Sequence, residues 1–165
     1  MKSRKSVLFV CTGNVCRSPM AEALFRERLR RVGRERAVWV RSAGIQALEG
    51  RPATDHAMEA MEHLGLSIRG HRARTLSQRD LDRADLVLVM TSDNARVIRR
   101  NLRRWEGKLF RLSEIIEKNL DIEDIYGESA GIYATCAALL AETIEQGFDR
   151  IMSMIEDGTS EPEMR

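Results

Sequence analysis

A chain of 165 residues, 43% hydrophobic and 32% charged, has the make-up of one globular domain over 1–165 with a sizeable core. Its formal net charge of +2 is too small to argue for nucleic acid, and no apolar run reaches the roughly 18 residues of a membrane span. The start, MKSRKS, lacks the apolar stretch and cleavage site of a signal peptide, and the cysteines are odd in number. A cytoplasmic protein with reduced thiols and no nucleic-acid or membrane partner is the expectation.

In chain order, Ser6–Val10 reads as a buried strand that runs into a loop from Cys11 to Arg17. Ser18 suits a helix cap and Pro19 a first helical position. Ala21, Leu24, Phe25, Leu29 and Val32 then form one apolar face, with Gly33 as a stop. Val38–Ser42 is a second strand ending in a turn at Ala43-Gly44. A helix over Thr54–Leu64 closes at Gly65, and Ser77 caps a helical turn through Asp82. Leu86–Met90 is a continuous apolar strand, followed by a helix from Ser92 to Arg104. Lys108–Leu112 is a fourth strand, and Ser113 begins another helical turn. Beyond an acidic loop, Asp121 to Gly127, a long helix runs from Ala130 to Glu156 with the stripe Ile132, Cys136, Leu139, Leu140, Ile144, Phe148, Ile151 and Ile155. The tail 157–165 has no periodicity and is expected to fray.

Strands alternating with helices imply βαβ units: an α/β fold with a four-stranded parallel sheet and helices on both faces. Ligands in such sheets bind beyond the carboxyl ends of the strands, which is where the Cys11–Arg17 loop falls. Gly13 and Asn14 tolerate positive φ, so the loop can curl its N–H groups inward as a nest. The start of the next helix adds its positive dipole end, and Arg17 a planar fork matched to phosphate oxygens. All three favour an anion, a thiolate as well as a phosphate, so Cys11 at the base of the loop is a candidate nucleophile. The same string also fits a βα turn that buries two thiols. Cysteine and arginine at C-x5-R spacing, with serine directly after, favour the phosphate cradle.

Cys11-Thr12-Gly13-Asn14-Val15-Cys16-Arg17-Ser18, directly after an apolar strand, resembles the low-molecular-weight protein tyrosine phosphatases. The likeness extends through Arg41-Ser42-Ala43-Gly44, Gly70-His71-Arg72-Ala73-Arg74, Ala84–Met90 and Asp121-Ile122-Glu123-Asp124. It implies the phosphotyrosine protein phosphatase I-like fold and a cysteinyl-phosphate intermediate on Cys11. Arg17 would hold the phosphoryl oxygens, Ser18 would donate to the sulfur, and Asn14, Ser42 and His71 would shape a phosphate-binding loop comprising Thr12, Gly13, Asn14, Val15, Cys16 and Ser18. The family places its acid in an Asp-Pro-aromatic loop, which here is Asp124-Ile125-Tyr126. Asp124 is therefore the expected acid, with Asp121 as the fallback. Losing proline frees φ and adds an N–H at 125, so a looser loop is expected. Leu48 and Tyr126 match the cleft walls, or are ordinary loop packing.

The resemblance implies phosphorylated protein or peptide substrates, no cofactor, no metal, and a monomer or weak dimer. Arsenate reduction on the same loop needs resolving cysteines in mid-chain, and residues 70–100 contain none. A phosphoresidue reader without turnover would have lost Cys11, Arg17 or Asp124. The remaining contest is phosphotyrosine against phosphoarginine. It turns on Val15, which has threonine's branching without its hydroxyl; the polarity favours tyrosine. Cys16 has two open readings, as a thiol that traps oxidised Cys11 in a disulfide or as packing beneath the loop.

Overall fold

The computed structural model describes residues 4–158. Four strands, β1 (Lys5–Cys11), β2 (Val38–Gly44), β3 (Leu86–Val89) and β4 (Leu109–Arg111), form one sheet in the order β2-β1-β3-β4. Every neighbouring pair is parallel. The helices are α1 (Arg17–Arg31), α2 (Asp55–His63), α3 (Gln78–Arg83), α4 (Ser92–Asn101) and α5 (Ala130–Asp157), with a 3-10 turn at Leu112–Ile116.

Strand alternation sorts the side chains into two cores. Val7, Phe9 and Cys11 of β1 face α1, α2 and α5, where Phe25 packs between Phe9 and Phe148. Leu8 and Val10 face the other way, against Leu81, Ala95 and Ile98 of α3 and α4. Because β1 is flanked on both edges and covered on both faces, the loop that leaves it at Cys11 starts from a fixed base.

The sheet's open edge is β2. The carbonyls of Val38 and Val40 accept from the side chains of Arg4 and Arg26 rather than from another strand. At the opposite edge β4 has only three residues.

Several expectations are revised. Ser18 does not cap α1: Cys16 holds the cap position, and Ser18 lies inside the helix, buried beneath the loop. β2 continues through Ala43 and Gly44 because Gly44 pairs with Cys11 and exchanges backbone bonds with Arg74 and Leu76. α4 stops at Asn101, after which Leu102 turns extended and joins Trp105 on the second core. β4 ends at Arg111, and Leu112 already belongs to the 3-10 turn. Val32, Ile132 and Leu139 are more than a third exposed, whereas Tyr133, Ala137 and Met152 complete the buried face of α5. Asp157 closes that helix in regular geometry, and 159–165 lie outside the described residues.

Candidate active site

The loop between β1 and α1 wraps around the Cys11 sulfur. That sulfur accepts from the Asn14 N–H at 3.3 Å and lies 3.0 Å from the Ser18 hydroxyl. The N–H groups of Thr12, Gly13, Val15, Cys16 and Arg17 have no acceptor among the described residues. Unpartnered donors converging at the start of a helix form a ready anion site.

Asn14 locks this shape. It takes a left-handed φ of 55°, is fully buried, and uses its whole amide. Its Nδ2 donates to Ser18 and Ser42, while its Oδ1 accepts from the Arg74 N–H. Its carbonyl meets His71 Nε2 at 2.6 Å. Ser42 in turn donates to Glu22, whose carboxylate lies 4.0 Å from His71 Nδ1. Gly44 supports the loop from below, since a Cβ there would stand 2.7 Å from the Thr12 carbonyl oxygen and 3.0 Å from the Asn14 nitrogen.

Arg17 is 2% exposed. Its Nη1 donates to the Ile122 carbonyl, its Nη2 lies 3.7 Å from Asp124, and its buried Nε has no partner among the described residues. A buried donor without a partner is costly, which marks this guanidinium as built to receive an acceptor. Asp124 remains largely exposed and accepts from the Tyr126 N–H in a tight local turn.

Asp121 does not reach the site. Ser92 and Arg111 hold its carboxylate, and although burial opposes them, their hydrogen bonds keep it below the usual carboxylate range. Ile125, at the position of the family proline, buries its side chain in the larger core.

Cys11, Thr12, Gly13, Val15, Cys16, Arg17, Leu48, Asp124 and Tyr126 line one cavity of about 270 Å³. Leu48 and Tyr126 are its exposed lips, at 63% and 57%. Ser18, Asn14, Ser42 and His71 sit behind it. A larger groove of about 780 Å³ along α1 and β2 reaches Glu22 and His71 but includes no cysteine. Sequence reasoning missed Gln46 and Arg51, which line the mouth beside Leu48 and were within reach as its neighbours. It also missed Asn94, whose amide donates to the Thr12 hydroxyl, and Tyr133, whose hydroxyl lies 3.2 Å from the Cys16 sulfur. Burial pushes the Cys16 thiol up, so it is neutral at physiological pH. Cys136 is buried on α5, and burial pushes it up to about 11.

A buried thiol in a loop of unpartnered N–H groups, with an arginine and a carboxylate lining the same small cavity, defines a phosphate-handling cysteine enzyme. Residues 6–157 match the model of the low molecular weight phosphotyrosine protein phosphatase family. A probable low molecular weight protein-tyrosine-phosphatase, EpsP of Ralstonia solanacearum, is 38% identical over 150 residues, covering 91% of this chain and 98% of that one. A protein-arginine-phosphatase of Bacillus subtilis is 40% identical over 143 residues, covering 85% of this chain and 92% of its own. Among solved structures, the arginine phosphatase YwlE, in a mutant with a phosphorylated active-site serine in place of cysteine, superposes with a TM-score of 0.84 at 36% identity. That match covers 89% of this chain and 95% of that one. The chain belongs to the low molecular weight phosphotyrosine protein phosphatase family and is a phosphatase.

Proposed function

We propose that this phosphatase hydrolyses phosphotyrosine on proteins or peptides through a phosphorylated Cys11. The observation that carries the reading is the set of unpartnered loop N–H groups and the Arg17 guanidinium in residues that line one cavity with Cys11. The sulfur attacks phosphorus as the bond to the tyrosine oxygen breaks. The five N–H groups and the Arg17 fork stabilise charge on the equatorial oxygens, as preorganised donors do in a water-poor pocket. Asp124 gives its proton to the leaving oxygen, then takes one from the water that attacks the cysteinyl phosphate. Ser18 already accepts from Asn14, so its own proton is free to point at the sulfur and support the thiolate as nucleophile and as leaving group. Asn14, Ser42 and His71 act through the loop by holding its curvature. The serine phosphorylation seen in the YwlE mutant supports the same covalent route.

Leu48 and Tyr126 give the cavity apolar lips suited to a phenyl ring. Val15, also in the cavity lining, presents no hydroxyl toward a phosphoguanidinium. Protein-arginine phosphatase activity on the same scaffold is the second reading, favoured by the compact branching of Val15. The deciding experiment compares turnover of matched phosphotyrosyl and phosphoarginyl peptides. Phosphotyrosine should be preferred, and Val15→Thr should shift the ratio toward phosphoarginine. Faster turnover of phosphoarginine by the wild type would overturn the substrate assignment and leave the route through Cys11 standing.

A further inference from the structure

Asp121 has no part in the chemistry above, yet its carboxylate is firmly held. It accepts from the Ser92 N–H at 2.8 Å, from the Ser92 hydroxyl at 3.1 Å and from Arg111 Nη1 at 3.1 Å. Ser92 is the first residue of α4, where backbone donors lack partners within the helix and the dipole favours a negative charge. Arg111 is the last residue of β4. Asp121 is thereby tied to two neighbouring strand ends of the sheet, at the start of a segment that reaches Asp124 three residues later.

The stretch from Met90 to Asn94, which leaves β3 and opens α4, holds both loops that carry the chemistry. On one side the Met90 N–H donates to the Val10 carbonyl of β1, and the Asn94 amide donates to the Thr12 hydroxyl of the cysteine loop at 3.3 Å. On the other side the Met90 carbonyl accepts from the Ile122 N–H at 2.9 Å, beside the pair of Ser92 with Asp121. The Ile122 carbonyl in turn accepts from Arg17 Nη1 at 2.8 Å. Further along, Asp124 has little to hold it: its side chain is 60% exposed, with the local Tyr126 N–H and Arg17 at 3.7 Å as partners.

We propose that Asp121 is a positioning residue for the phosphatase reaction: its carboxylate clamps the acid loop to Ser92 and Arg111 and so sets where Asp124 stands relative to the cysteine loop. This rests on Cys11 as nucleophile and Asp124 as acid. Burial of the Ile122 and Ile125 side chains also holds the segment, but apolar contact has no direction. The two backbone bonds of Ile122 leave the chain able to pivot about that residue. Three directed bonds to the neighbouring carboxylate remove that freedom. General acid catalysis needs the proton within about 2.6–3.2 Å of its target, and a misplacement of about 1 Å costs on the order of a hundredfold. Releasing the clamp therefore weakens protonation by Asp124 without removing any reacting group.

Phenyl phosphate has a poor leaving group that needs the proton of Asp124, and p-nitrophenyl phosphate has one that does not. The readout is the ratio of their kcat/KM values, p-nitrophenyl over phenyl. Lower stability, or a shift of Arg17 through the Ile122 carbonyl, slows both substrates and cancels in that ratio. In Asp121→Ala the ratio should rise roughly five- to twentyfold. Asp121→Asn keeps an acceptor oxygen for Ser92 but carries no acidic proton, so its rise should be only about two- to fourfold. In an Asp124→Asn background, Asp121→Ala should move the ratio by less than about twofold, because the proton that it positions is already gone. An unchanged ratio in Asp121→Ala, or a further large rise in the double variant, would overturn the proposal. So would an Asp121→Asn ratio as high as that of Asp121→Ala, which would mark Asp121 as the acid itself. If Asp121→Ala does not fold, Asp121→Asn decides: its ratio must rise at least about twofold and stay well below that of Asp124→Asn. Failure of the underlying reading looks different: Cys11→Ser would retain turnover of p-nitrophenyl phosphate, or Asp124→Asn would leave the ratio unchanged.

Discussion

Gly44→Ala adds one methyl group to the floor of the catalytic loop. The new carbon would lie 2.7 Å from the Thr12 carbonyl oxygen, 0.7 Å short of the 3.4 Å at which ordinary contact begins. It would also lie 3.0 Å from both the Asn14 nitrogen and the Gly13 carbonyl carbon. All three atoms are backbone, so no rotamer relieves the overlap. The Gln46 N–H already bonds the Thr12 oxygen, and the Asn14 N–H already bonds the Cys11 sulfur, so the loop yields only by giving up those contacts. Overpacking of this kind costs about 1–3 kcal/mol, or roughly 2–12 °C in melting temperature for a chain of this size. Lifting the loop by most of an ångström should lower kcat on p-nitrophenyl phosphate about 10- to 100-fold. Gly147→Ala is the control. Its Cβ would meet Ile115 Cγ2 at 2.8 Å, far along α5 from the loop, and alanine returns about 1 kcal/mol of helix propensity. That variant should melt within a few degrees of wild type and keep full activity. Wild-type kcat in Gly44→Ala, or equal loss in both variants, would refute the view that Gly44 acts through the loop.

Cys11→Ser should abolish turnover while isothermal titration still detects binding of inorganic phosphate, since the N–H groups and Arg17 remain. Asp124→Asn should lower kcat/KM for phenyl phosphate far more than for p-nitrophenyl phosphate; equal slowing would mark Asp124 as structural. Asp80 gives a pH test. Burial pushes its carboxyl up, but the Ser77 N–H, Arg74 and the Ser77 hydroxyl outweigh that and hold it below its ordinary value. A lowered folded-state value stabilises the fold above the unfolded-state value of about 3.9, and that gain is lost as pH falls through the folded-state value. Thermal melts should therefore separate wild type from Asp80→Asn at pH 7 and draw together as pH falls below about 3.9; a gap that does not narrow in acid would show that the pairing with Arg74 contributes nothing through ionisation.

The strands were legible because fully buried parallel strands are continuous apolar runs with little competing interpretation, and the cysteine loop because its residue types are needed together. Ser18 was misread because serine before Pro-initiated helix is a good local cap. Only the folded loop shows that the helix begins earlier and that the hydroxyl is needed by Asn14 and Cys11. Most of the α5 stripe is buried as read, but Ile132 and Leu139 were misplaced because they look like core residues, while the buried positions also include Tyr133, Thr143 and Gly147, whose burial depends on partners far away in sequence. Ile125 was legible as a lost proline but not as a gained core residue. The bridge from Tyr133 to Cys16 joins residues 117 apart and carries no local signature at all.

The arginine-capped carbonyls of β2 bear on how copies of this protein meet. A bare edge strand invites another chain to extend the sheet. Here an incoming strand must first displace the Arg26 guanidinium, itself paired with Glu22, and that of Arg4, stacked on Trp39. The far edge offers only the three residues of β4. Strand addition is thereby opposed at both edges, so the sheet that fixes the catalytic loop is guarded against extension by another chain.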